Sequence, residues 1–244
     1  MRINHNIPSM VSHGAVFKVT QQMNKSLERL STGLRINRAS DDAAGMGVSE
    51  NLRTQVRGTA QAKRNAMDGI AAINIAEGAA NEVSSVLQRM RELAIQSAND
   101  TLTTTERAYT NQEFRALTDE IQRIADVTNY NGMKLISHDA TNRFGMGSNG
   151  SALWVDANDA YGVDSITVSV DTLTAGTNGL DVAVHHLTTQ SSSISAVTQI
   201  DEAIDSVNTM RSNMGAVINR MEHAINNLTV SNTNQQAAES LIRD

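Results

Sequence analysis

The stretch Ile73–Ala94, INIAEGAANEVSSVLQRMRELA, decides the fold. Its residues Ile73, Ala76, Ala80, Val83, Leu87, Met90 and Ala94 recur at alternating spacings of three and four, the period that lays one apolar stripe along a helix. In the second half of the chain the rhythm returns in Ile200, Ile204, Val207, Arg211, Met214, Ile218, Met221, Ile225 and Leu228, interrupted only by Arg211. Another long helix buries so narrow a seam better than a globular core does. The two stripes predict a mainly α fold: a long antiparallel helical rod of coiled-coil type, in which N-terminal and C-terminal segments pack together.

Outward from the first stripe, Val16, Thr20, Met23, Leu27, Leu30 and Leu34 predict a helix over about 16–34, with Gly33 near its end. Ser40-Asp41-Asp42 reads as an N-cap with acids in the first turn, so the paired aspartates are caps rather than catalysts. The helical pattern then runs to about Ala98 despite Gly45, Gly47, Gly58, Gly69 and Gly78. Close approach of neighbouring helices or subunits would account for these glycines. Thr103-x-x-Glu106 is a capping box opening a helix over about 104–128, with Phe114, Leu117, Ile121 and Ile124 on its buried face. Asn131-Gly132 is a turn, and the second stripe can pack along the hairpin of the two preceding helices. Between Leu135 and Ser195 the helical rhythm gives way to alternating runs at Ala152–Val155, Ser165–Val170 and Leu180–Val184, a small β-rich insert. Thr188–Ser195 reads as a solvated loop, with glycosylation the lesser alternative. The expected divisions are 1–40, an inner helix; 41–137, the first half of the rod; 138–194, the insert; and 195–244, the second half.

Composition narrows the chemistry. Seven aromatic residues among 244 predict thin helix contacts made by small side chains. Pro8 is the only proline, so long helices are permitted after it. The absence of cysteine excludes disulfides and thiol catalysis. No stretch is apolar for the 18 residues a membrane span needs, and the N-terminus lacks the apolar core of a cleaved secretory signal. Residues 1–64 hold ten basic side chains against four acidic ones, whereas residues 139–205 hold nine acidic groups against Arg143. The basic segment lacks the interleaved aromatics and reader motifs of a nucleic-acid binder. Gly145-Met-Gly147-Ser-Asn-Gly150 fits a dinucleotide fingerprint, yet a strand-like segment follows where a helix is required, so it reads as a turn. His185-His186 are adjacent and unsuited to sharing a metal. The chain has neither His-Glu-x-x-His nor a nucleophile elbow. Asn24, Asn99, Asn149 and Asn227 open N-x-S/T triplets of a kind common by chance. No catalytic residue, metal site or cofactor is expected.

Particular runs carry a family resemblance. Asn24–Asn37, NKSLERLSTGLRIN, followed by Asp41–Gly45, DDAAG, resembles the amino-terminal signature of bacterial flagellin. Asn65–Ile70, Glu77–Ala79 and Leu87–Ala94 resemble that family's first long helix, and Gly215–Leu228 with Glu239–Asp244 its carboxy-terminal half. The resemblance covers about 1–137 and 195–244. It implies a structural subunit of the flagellar filament that self-assembles for swimming motility. It also implies export through the hollow flagellum without a cleaved signal peptide, and residence in the extracellular filament. The implied partners are further copies of the chain, the export apparatus and its chaperone, hook-associated and cap proteins, and the vertebrate Toll-like receptor for flagellin. Nucleic acid and membrane insertion are not among them. The family pattern continues past Arg243-Asp244 with a helix that carries much of the chaperone site and pairs with the amino-terminal one. The 244 residues are accordingly expected to keep a folded rod without polymerising normally, with residues 1–40 frayed unless subunits pack them.

For receptor binding the resemblance implies Arg89, Leu93 and Glu113, the first two being i,i+4 neighbours beside the buried seam. Packing between subunits is the plainer use for the same residues. The expected assembly and core seam comprises Leu27, Leu30, Leu34, Ile73, Val83, Leu87, Met90, Ile204, Val207, Met214, Ile218, Met221, Ile225 and Leu228. The alternatives are a hook–filament junction protein, a helical-bundle enzyme, which would need carboxylates and histidines converging in its core, and a soluble signalling ligand.

Overall fold

The computed structural model describes residues 6–137, 151–156, 164–168, 170–177 and 179–244. Helix α1 spans Ile7–Thr32. The Asn6 side chain accepts the Ser9 N–H at 3.3 Å, and Pro8 sits in the first turn, where a missing donor costs nothing. Gly33 ends the helix at φ +70°, donating its N–H to Arg29 O at 2.8 Å. The helix thus begins well before the expected Val16, because Asn6 and Pro8 form a start signal that the apolar period misses.

Helix α2 spans Ala43–Ala98. Of the two aspartates before it, only Asp42 caps, accepting the Gly45 N–H at 3.0 Å. Asp41 turns the other way: its Oδ2 accepts the Asn37 and Arg38 N–H groups and its Oδ1 meets Lys25 Nζ at 2.5 Å. Gly45 is explained by the cap itself, since a Cβ there would lie 2.5 Å from Asp42 Oδ2 and 2.9 Å from Ile36 Cδ1. Gly47 and Gly78 have open space around them; Gly69 receives Leu153, whose Cδ1 would lie 2.6 Å from an added Cβ.

Helix α3 spans Thr104–Val127 and opens with the complete Thr103/Glu106 capping box. Its Arg107 donates to Ser97 O and Asn99 O, both at 3.0 Å, and so caps the carbonyl end of α2. Strands β1 (Asn129–Tyr130) and β2 (Met133–Lys134) pair antiparallel. Asn131 and Gly132 between them have φ of +50° and +79°, the left-handed pair a two-residue hairpin turn requires. Strands β3 (Ser151–Trp154) and β4 (Ser165–Val168) form a second antiparallel pair, with Trp154 opposite Ser165. Leu180–Val184 is not a strand. It is a turn-rich segment tied back by Leu180 N–H to Thr174 O and Ala183 N–H to Ala175 O, both at 2.8 Å. The Gly145–Gly150 turn lies outside the described residues.

Helix α4 spans Gln190–Arg243. The Thr188–Ser195 tract is therefore a helix start rather than a loop. Thr189 N–H donates to Ser192 Oγ at 3.1 Å and Ser192 N–H to Thr189 Oγ1 at 3.2 Å, a reciprocal cap in which serine takes the place of glutamate. The fold is mainly α with small antiparallel strand pairs, in keeping with the sequence.

The chain divides into two compact units, Met1–Ala60 with Thr229–Asp244, and Gln61–Leu228. The second unit holds the apolar core. Every residue of the first stripe, from Ile73 to Ala94, is buried there, together with Phe114, Ile121 and Ala125 of α3, Leu135 and Ile136 after the β1–β2 hairpin, and Leu173 and Leu187 of the insert. On α4 the buried line is Ala196, Ile200, Ala203, Val207, Met210, Met214, Met221 and Leu228. The expected seam is thus rotated. Ile204, Ile218 and Ile225 lie partly buried at its edge, Met210 occupies the core, and Arg211 moves to the margin, where its Nη2 is 3.4 Å from Glu77 Oε1. A guanidinium is costlier to desolvate than a thioether, so Met210 rather than Arg211 occupies the core, although Arg211 Nε stays buried without a hydrogen-bond partner.

Candidate functional site

The residues implied for receptor recognition lie on α2 and α3 and fall into two environments. The Arg89 guanidinium contacts Glu113 Oε1 at 2.9 Å across the helix pair and Glu92 Oε2 at 2.9 Å along its own helix. These three side chains are all about half exposed or more. The bond to Glu92, then that to Glu113, raises the Arg89 pKa above the ordinary guanidinium value, so the group is a fixed cation. Leu93, expected on the same patch, is only 2% exposed and belongs to the apolar core. At this level Leu93, Ala94 and Ser97 are all buried, so the apolar face of α2 is wider than one stripe. The surface feature is therefore a charged trio of Arg89, Glu92 and Glu113, with Leu93 beneath it. Glu92 was not singled out from sequence, although its i+3 spacing from Arg89 was a readable signal.

The expected assembly residues also separate. Ile73, Val83, Leu87, Met90, Val207, Met214, Met221 and Leu228 are interior to the second unit. Leu27 and Leu30 are 55% and 82% exposed, and Leu34 is half-buried. Helix α1 buries none of its residues, and Ile7, Met10, Val11, Val16, Phe17, Val19 and Met23 are also exposed. Isolated apolar residues on a surface are ordinary, but a whole helix carrying this many is an unusually large exposed apolar face. A polar clasp holds its C-terminal end: Lys25 to Asp41, Glu28 to Arg38 at 3.0 Å, and Thr32 Oγ1 accepting Asn37 Nδ2 at 2.7 Å. The Lys25 ammonium, and next the Arg38 and Asn37 N–H groups, outweigh burial and hold the Asp41 carboxyl below its usual range.

Among the described residues no group of three or more His, Asp or Glu is placed to hold a metal, and no helix is long and apolar enough to cross a membrane. His185 and His186 lie in a loop, where His186 meets Arg115 Nη2 at 3.0 Å.

Two family models match these helical regions: residues 3–141 fit the bacterial flagellin N-terminal helical region, and residues 197–244 fit the bacterial flagellin C-terminal helical region. The chain belongs to the bacterial flagellin family. It is 44% identical over 244 residues to a flagellin of Halalkalibacterium halodurans, covering 100% of this chain and 86% of that relative. It is 39% identical to a Bacillus subtilis flagellin, covering 100% and 87%, and 37% identical to the flagellar filament 33 kDa core protein of Treponema phagedenis, covering 100% and 86%. The crystal structure of Bacillus cereus flagellin aligns with a TM-score of 0.55 at 28% identity, covering 72% of this chain and 94% of that one. Membership in flagellin makes the chain a structural component of the flagellar filament and places it in a family of structural proteins.

Proposed function

We propose that this flagellin self-assembles into the helical filament that drives swimming, with α1 as an inter-subunit contact. The observation that carries this is the unburied apolar face of α1, above all Phe17, Leu27 and Leu30, on a helix that meets no core in its own protomer. Apolar area of that kind contributes roughly 25 cal/mol per Å² once covered, and a homopolymer supplies the cover in every subunit. The expected route is export without a cleaved signal peptide, with the export apparatus, its chaperone, hook-associated and cap proteins as partners. The test is electron microscopy of filaments in a bacterium deprived of its own flagellin and given this gene. Regular filaments and restored swimming are expected when a family-type carboxy-terminal helix is joined after Asp244. The unextended chain is expected not to form them, and an extended chain that is secreted without filaments would overturn the proposal.

A second reading, recognition of the monomer by the vertebrate Toll-like receptor for flagellin, is supported by the exposed Arg89–Glu113 pair. An arginine at the centre of a patch is a frequent energetic anchor in interfaces. Soluble monomer is expected to activate receptor-bearing cells, and Arg89→Ala to weaken activation at least tenfold. Equal activation by Arg89→Ala and the parent would remove the pair from the contact.

A further inference from the structure

The first unit pairs two helical stretches with almost no apolar core. Among its described residues Ile36 is the one buried hydrophobic, and the buried residues of α2 in this unit are polar: Ser49 at 0% and Thr59 at 3% exposure. Facing them, the Asn232 amide of α4 donates through Nδ2 to Val56 O and to Thr59 Oγ1, both at 2.8 Å, and Thr59 Oγ1 in turn donates to Val56 O at 3.1 Å. One side-chain amide nitrogen, one hydroxyl and one main-chain carbonyl thus bond one another between two helices. Further along, Arg53 Nε meets Glu239 at 3.1 Å and Arg243 Nη1 meets Glu50 at 3.0 Å.

We propose that the Asn232–Thr59–Val56 network selects the partner and the register of the last turns of α4. Apolar burial cannot make that choice here. The segment 229–243 presents Val230 and Leu241 at 62% and 81% exposure, and α1 in the same unit carries a larger apolar face than α2 does. A helix with little apolar surface of its own can slide along its neighbour by a turn or a heptad at small cost, and can exchange one neighbour for another. The part-buried Asn232 amide restricts that freedom, because away from this register it loses both of its hydrogen bonds, to Val56 O and Thr59 Oγ1. The rim ion pairs, which long flexible side chains can re-form after a shift, and the Arg35 and Ile36 N–H bonds to Arg243 O at 2.7 and 3.2 Å, which hold only the very end of α4, reinforce the choice.

The chain has no cysteine, so two spin labels can be placed without removing native residues. Labels at Gln55→Cys on α2 and Asn234→Cys on α4, both exposed positions, report the register by electron–electron distance measurement on the full chain. The parent is expected to give one narrow distance. Asn232→Leu with Thr59→Val, which replaces the network by an apolar layer, is expected to keep its helix content by circular dichroism while the distribution splits, with populations displaced by about 5 Å for one turn or 10 Å for one heptad. Asn232→Ala, which adds no apolar surface, is expected to broaden it as well. A single narrow distance in either folded variant would overturn the proposal. Loss of helix from the 229–243 segment in both would overturn it too, by showing that the network holds the segment folded rather than choosing its partner.

Discussion

Single residues at helix ends settle where the long elements begin. Gly45 illustrates this, since alanine is the better helix former by about 1 kcal/mol, and yet its methyl would press on the Asp42 carboxylate and on Ile36. Gly45→Ala is therefore expected to forgo that gain, because losing the cap costs about 1 kcal/mol and offsets it, leaving the urea unfolding midpoint close to the parent's. Thr103→Ala should likewise cost about 1 kcal/mol by removing its half of the capping box. The box also carries a pH dependence. Glu106 is held below the ordinary glutamate value of 4.5, first by the Thr103 N–H and then by its hydroxyl. Its stabilisation is fully present above that value and disappears as the pH falls through the lowered folded-state value. The parent should therefore lose more stability between pH 5 and strongly acidic conditions than Glu106→Gln does, and equal slopes would show the carboxylate to be idle. The Thr103 box was legible because its residues are adjacent and follow a known spacing. The Arg107 cap on α2 was not, because it depends on how two helices meet.

At the scale of elements, the period of apolar residues located α2, α3 and α4 but left their rotation open. On α4 the lines through Ile204 and Ile218 and through Ala203 and Met210 satisfy the same period. The charge on Arg211 and its contact with Glu77 break the tie, which requires knowing the neighbour. Met210→Ala is expected to cost about 2–5 kcal/mol as a fully buried side chain, and Ile218→Ala distinctly less. The reverse order would restore the seam first read from the sequence. Helix α1 makes the complementary case. With no buried residue it depends on its own backbone bonds, its end caps and the surface clasp of Lys25, Glu28 and Thr32 near its C-terminal end, a marginal arrangement for a helix in water. Hydrogen exchange of the monomer should be fast throughout Ile7–Thr32 and slower by orders of magnitude in 76–94. Equal protection would mean that the helix has a partner already. The receptor patch was legible as separate residues but not as an arrangement: nothing in the spacing of Arg89 and Leu93 revealed that one faces solvent and the other the core.

At the scale of the whole chain, two kinds of cohesion coexist. The unit of Gln61–Leu228 is held by buried aliphatic and thioether side chains, whereas that of Met1–Ala60 with Thr229–Asp244 relies on hydrogen bonds and ion pairs. Ionic strength should distinguish them. At 1 M salt the screening length falls to about 3 Å, so exchange should quicken around Arg53 and Glu239 and stay unchanged around Val83 and Val207. Composition pointed to small side chains, whereas the core is built mainly of Leu, Ile, Val and Met with alanines between them. It gave no sign of this division, because apolar periodicity is silent about segments that pack through polar groups. The methionines make the difference chemically readable. Met10, Met23, Met67 and Met133 stand on the surface, while Met90, Met210, Met214 and Met221 are sealed in the helical seam. A thioether converted to its sulfoxide becomes polar and no longer fits such a seam. Mild peroxide should therefore mark these outer four within minutes and reach the inner four only as often as the helices part, which turns the core into a clock for its own opening.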